Sequence, residues 1–283
     1  MSPNHLYDNL NIYISAFISI FGIFGNLLNI FIFTNHRLFR DNQCIFYLTV
    51  DSIVNIGANL VADLSWILLM IFDTTAYENS LAWCKLKNML MHCFTLISIL
   101  IMCFASCDQF FSTSPVYYLR EKSTLKLAYR LTLISVCCAI IIGIPILIYF
   151  TIDSLKECVI DDSIFLFYYS FIHIPLLFGI ILIFISSTLS ILAFRNVRHI
   201  IRQRISIVRR RLDQQLTAMV LMRIIFFVIS TLPYVIYRIY FLRERNSIDS
   251  SSQSNAIHII GIVCCSLVSV NTAVKIYLNA FSR

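Results

Sequence analysis

LKLAYRLTLISVCCAIIIGIPILIYF, residues 125–150, begins with two bases, Lys126 and Arg130, and then runs from Leu131 to Phe150 with no Asp, Glu, Lys, Arg or His. At about 1.5 Å per helical residue such a run crosses the roughly 30 Å hydrocarbon core of a bilayer. A single segment in lipid satisfies its backbone N–H and C=O groups only as a helix, so the stretch reads as a membrane-spanning helix. Working outward from it, runs of the same kind occupy 11–34, 44–72, 84–111, 165–194, 216–242 and 256–280. The chain is therefore expected to be an all-α membrane protein, a single seven-transmembrane helix bundle filling residues 1–283. Composition agrees, with 59% hydrophobic and 13% charged residues against roughly 45–50% and about 25% in soluble chains. The alternating period of barrel strands is absent. Short connectors leave no room for a soluble domain. Met1–Leu10 carries no basic stretch and the first apolar run has no small-residue cleavage site, so helix one is expected to be retained rather than removed as a signal peptide.

The net charge of +7 is not spread evenly. Arg195, Arg198, Arg202, Arg204, Arg209, Arg210 and Arg211 crowd the connector between helices five and six. Arg120, Lys122 and Lys126 follow helix three, and Arg37 and Arg40 follow helix one. Basic loops stay in the cytoplasm, which places the N-terminus and the three other loops outside. The bases then face anionic lipid headgroups, and no nucleic-acid partner is expected. Outside, Asp153, Glu157, Asp161 and Asp162 stand against Lys156 alone. Of the ten cysteines most lie within apolar helices, but Cys84 and Cys158 fall on the outer, oxidising face. They are either both free or bridged, and two on one such surface point to a disulfide. No spacing of Cys and His suits zinc.

A series of landmarks follows in order. Gly25–Asn26 lies in helix one, Asp51 in helix two, and Trp83–Cys84 at the start of helix three. Asp108–Gln109–Phe110 and Ser112–Thr113–Ser114 close that helix. Pro145, Pro175 and Pro233–Tyr234 fall in helices four to six, and Tyr277, Phe281 and Arg283 end the chain. The series resembles the rhodopsin-like (class A) family of G-protein-coupled receptors over nearly the whole sequence, and within it the short-neuropeptide receptors. It departs from the pattern in four places. The box arginine is Gln109, the helix-six Cys–Trp pair reads Ser230–Thr231, the helix-four tryptophan is missing, and the helix-seven Asn–Pro is replaced near Ala273–Val274.

Helix two carries Asp51, Asn55, Asn59 and Asp63 four apart, hence on one face. Such a face turns from lipid, where a charge at the bilayer centre costs about 2.5–3.5 kcal/mol on the mildest scale. The resemblance implies a sodium site at Asp51, completed by Ser98 and by Ser269 or Asn271. Without an ion, Asp51 is neutral or bonded to water. The resemblance also puts Met91 where amine receptors hold an aspartate, which argues against an amine ligand. His92, Thr95, His173, Tyr234, Tyr237, Arg238 and His258, with Asp63, gather polar and aromatic groups in the outer half as a ligand pocket does. Taken singly, each also fits a plain structural role, such as a snorkelling Arg238 or an interfacial tyrosine. For G-protein coupling the resemblance implies Asp108, Gln109, Phe110, Arg223 and Tyr277, and Arg223 is a candidate partner for Asp108.

The resulting expectation is a multi-pass plasma-membrane receptor for an extracellular ligand, a small cationic or amidated peptide, that moves helices to engage a heterotrimeric G protein. No cofactor is expected beyond the sodium ion. The rival is a signalling-defective receptor-like partner in a heteromer. A transporter would show inverted repeats and broken helices. A retinal protein needs a mid-membrane lysine, whereas Lys275 lies near the cytoplasmic end. No nucleophile with a base and no phosphate loop supports an enzyme.

Overall fold

The structure, a computed structural model, describes residues 3–35, 42–72, 80–153, 158–200 and 207–245, with Ile260 and Val263 beyond them. Side chains at 3–15, 63–72, 176–178, 198–200, 207–213 and 238–245 lie outside the description. So does most of the expected seventh span, 256–280.

Eight α-helices and one hairpin follow in order among the described residues: α1 Pro3–Asn35, α2 Gln43–Phe72, α3 Leu81–Thr113, the short α4 Tyr117–Lys122, α5 Leu125–Tyr149, β1 Phe150–Ile152, β2 Cys158–Ile160, α6 Ser163–Phe167, α7 Ile181–Ile200 and α8 Ile207–Arg245. Thus α5 is the fourth expected span, α6 to α7 the fifth and α8 the sixth. Five helices are long and apolar enough to cross a membrane among the described residues, the fifth span being divided into Ser163–Pro175 and Ile181–Val197.

Local chemistry sets several starts. Asn42 Oδ1 accepts from the N–H groups of Cys44 (2.9 Å) and Ile45 (3.3 Å), opening α2. Thr124 caps α5 through Leu127 N–H at 3.3 Å, and Asp162 caps α6 through Phe165 N–H at 2.6 Å. These caps answer the unsatisfied donors of a first helical turn. Between α6 and α7, Tyr168–Ile180 winds as a π-helix with Pro175 inside it. The sequence suggested a uniform α-helix over 165–194. Proline has no N–H to give, and a wider turn is one way a helix takes that loss.

The central rod is α3, which packs on α2, α5, α7 and α8. A core of Tyr47, Leu48, Leu96, Ile101, Leu216 and Val220 joins α2, α3 and α8. On the α5 face toward α3 the buried residues are small except Ile146. Ala128, Ser135, Ala139 and Gly143 are buried, and Cys93 Sγ lies 3.4 Å from the Ala139 carbonyl. Small side chains let helix backbones approach where lipid supplies no hydrophobic drive. Leu133, Ile141 and Ile148 line the opposite, exposed side.

Candidate functional site

At one end of the bundle the chain leaves α5 straight into the antiparallel β1–β2 hairpin, which pairs Phe150 with Ile160 and Ile152 with Cys158. A disulfide joins Cys158 to Cys84 at the head of α3, with Cα atoms 5.7 Å apart, inside the usual range for such bridges. Asn88 donates to the Cys158 sulfur at 3.1 Å. The hairpin is thereby held over the ends of α3 and α5, on an apolar cluster of Cys84, Ile146, Phe150, Ile160 and Phe165. Asp153, Asp161 and Asp162 are exposed around it. One of these has a structural task, since Asp162 is the α6 cap; Glu157 lies outside the described residues.

Beneath the hairpin His92 of α3 and His173 of the π-helical stretch meet with ring centroids 4.8 Å apart. Tyr169 stacks on His173 at 5.2 Å. Both histidines are buried, so they pack α3 against the π-helical stretch. Thr95 turns its hydroxyl back to the Met91 carbonyl at 2.7 Å. Tyr234 and Tyr237 are half-buried on α8. Asp63 and Arg238 stand on α2 and α8 with side chains outside the description, and His258 lies wholly outside it.

Midway along the bundle Asp51 is fully buried and surrounded by donors. Ser98 Oγ donates to its Oδ1 at 2.5 Å, and Asn55 Nδ2 to the same oxygen at 3.0 Å. Arg223 Nη1 donates to Oδ2 at 2.9 Å, an ion pair between α8 and α2 with 4% and 0% of the side chains exposed. Removing two charges from water costs several kcal/mol for each, recovered only when geometry is good and the remaining lone pairs are satisfied. The hydroxyl and amide donors supply that second condition for the carboxylate, whereas Arg223 Nη2 is buried with no hydrogen-bond partner among the described residues. Arg223 thus pairs with Asp51 and not with Asp108, the candidate partner that the sequence offers. Arg223 shares the inward stripe of Leu216, Val220 and Ile224, which carries it to the level of Asp51.

At the far end Asp108 Oδ1 accepts instead from Ser123 Oγ at 2.5 Å. Its neighbour Gln109 accepts through Oε1 from Thr217 Oγ1 of α8 at 2.9 Å. Ser190 of α7 donates to Ser106 of α3 at 3.2 Å. Phe110 is half-buried beside Phe111, ring centroids 6.0 Å apart.

A disulfide-pinned hairpin, a buried helix-two aspartate and a polar tie between the third and sixth spans fall along the chain in the order the landmarks suggested. The profile of the family described as 7 transmembrane receptor (rhodopsin family) matches residues 25–275. The chain belongs to that family. No curated protein matches it. As a rhodopsin-family receptor it is a membrane protein and not an enzyme. Ser269, Asn271 and Tyr277 of the receptor lie outside the described residues. Three contributors escaped sequence reasoning: Ser123, Thr217 and the Arg223–Asp51 pairing. A signal existed for the last. An arginine on an inward stripe demands a carboxylate, and few lie inside the spans.

Proposed function

We propose that this rhodopsin-family receptor sits in the plasma membrane, takes a small cationic or amidated peptide from outside the cell, and signals to a heterotrimeric G protein. The observation that carries the ligand reading is the hairpin pinned by Cys84–Cys158, with exposed Asp153 at its turn end and exposed Asp161 at its base. Negative charge around a mouth concentrates positive ligands and speeds their arrival. Asp63, His92, Thr95, His173, Tyr234, Tyr237 and Arg238 are the residues assigned to the pocket, Arg238 taking a carbonyl or carboxylate of the peptide. Agonist acts by population shift, binding the arrangement with α8 displaced better than the resting one. Displacing α8 breaks Gln109–Thr217 and Arg223–Asp51 together. Asp108, Gln109, Phe110, Arg223 and Tyr277 form the coupling set.

A signalling-defective partner is the second reading, and Gln109 favours it. A neutral amide offers less than the arginine that the family pattern places there, since charge-assisted hydrogen bonds are roughly twice as strong as neutral ones. Cells expressing the receptor are to be screened for second messengers against short amidated peptides. A cationic peptide should activate, Asp63→Asn should weaken its potency, and Gln109→Arg should raise the response at equal surface expression. An active anion or neutral lipid, with potency unchanged in Asp63→Asn, removes the peptide reading. Strong coupling by the parent with no gain from Gln109→Arg removes the idea that Gln109 limits signalling.

A further inference from the structure

The fold family implies a sodium ion held by Asp51, and the surroundings of that carboxylate allow a test of fit. Sodium needs oxygen lone pairs turned toward it. Around Asp51 the structure turns donors instead: Ser98 Oγ at 2.5 Å, Asn55 Nδ2 at 3.0 Å and Arg223 Nη1 at 2.9 Å. Each carboxylate oxygen thus already carries a hydrogen bond, and the positive charge on Oδ2 belongs to a side chain of α8. A second cation beside the guanidinium would face like charge at close range in a poorly screening interior. The described residues around Asp51 do not fit the ion.

We propose that Arg223 is the resident cation of the Asp51 site, a tethered guanidinium in place of diffusible sodium. Two further observations support it. Arg223 is carried on the buried stripe of α8, flanked by Leu216, Val220 and Ile224, so helix packing delivers the guanidinium to that depth. Met102 Sδ of α3 accepts a weak hydrogen bond from Nη1 at 4.0 Å, a second contact that holds the guanidinium in place. The guanidinium is also the most weakly hydrated of the cationic side chains, hence the one best suited to a dry ion pair. A free ion can leave when a helix moves. A guanidinium cannot, so the counter-charge of Asp51 travels with α8, and the receptor's resting state is set by the chain itself rather than by external salt. The proposal concerns the unliganded protein and holds whatever the ligand proves to be.

The test needs neither peptide nor G protein. The full chain in detergent is unfolded by heat in sodium chloride and in choline chloride at equal ionic strength. The parent should unfold at the same temperature in both salts. R223M should unfold several degrees lower in choline chloride and regain part of that loss in sodium chloride, because Asp51 has lost its counter-charge. D51N/R223M should show no sodium response and unfold above either single variant, since both buried charges are gone. Selective stabilisation of the parent by sodium overturns the proposal, as does a folded R223M that ignores sodium. Where R223M fails to fold, D51N and the double variant decide. A double variant less stable than D51N overturns the proposal, and one more stable supports it. Should none of the variants fold, the comparison of salts on the parent stands alone as the deciding measurement.

Discussion

At Gln109 the side-chain carbonyl holds the Thr217 hydroxyl across 2.9 Å, with 3% of the glutamine exposed. A neutral pair of this kind nets about 0.5–1.5 kcal/mol, but removing the donor leaves a buried acceptor unmet at about 1–3 kcal/mol. Thr217→Val keeps the shape and deletes the donor. Its melting temperature in detergent should fall by about 2–4 °C for each kcal/mol lost. An unchanged melting point would mean that the resting receptor does not rely on the bond. The sequence pointed to Gln109 as a departure from the family pattern, yet not to what replaces the lost charge. Thr217 is 108 positions away, and nothing local in either segment marks the pair. Cys84 and Cys158 were easier, since side of membrane and oxidation state restrict two cysteines without any knowledge of helix rotation. Arg223 shows the difference. Its need for a carboxylate is legible, whereas the choice between Asp51 and Asp108 depends on how far along α8 the side chain points, which only packing settles.

Among the elements, α5 illustrates what a hydropathy pattern does and does not convey. Its apolar run announces a span, and the structure places the helix at Leu125–Tyr149. Which side meets α3 is written more faintly, in the small residues Ala128, Ser135, Ala139 and Gly143. A Cβ added at Gly143 would stand 3.1 Å from Cys93 Sγ and 3.4 Å from Met89 Cγ. Gly143→Leu should therefore force α5 and α3 apart at about 1–3 kcal/mol, lowering both the yield of monodisperse protein and its melting temperature, with Gly143→Ala milder. Equal stability of parent and leucine variant would show that the seam is looser than the distances indicate. Other elements were illegible for physical reasons. Three-residue strands leave no alternation to read, so the β1–β2 hairpin passed as a loop. The π-helical stretch contains Pro175 and packs on α3 and α8, and no hydrophobic period marks it.

For the molecule as a whole, the bundle is tied at three depths: the Cys84–Cys158 bridge at the hairpin end, Arg223–Asp51 in the middle, and Gln109–Thr217 at the other end. Cross-linking across a separation of 74 residues stabilises a chain by about 2–4 kcal/mol through the unfolded state. Cys84→Ser with Cys158→Ser should lower the melting temperature and abolish the protective effect of omitting reductant, and alkylation of the denatured parent should modify these two thiols only after reduction. A parent whose melting point ignores reductant would show that the bridge is dispensable. The middle tie also has a consequence for how the receptor is made. Asp51 and Arg223 are 172 residues apart, so at about 5–20 residues per second the ribosome needs roughly 9–34 s to follow one with the other. Throughout that interval helix two carries a carboxylate without its cation, at a depth where insertion scales charge about 2.5–3.5 kcal/mol for it. Ser98 arrives early and Arg223 late. The receptor therefore closes its centre only when the sixth span has left the ribosome.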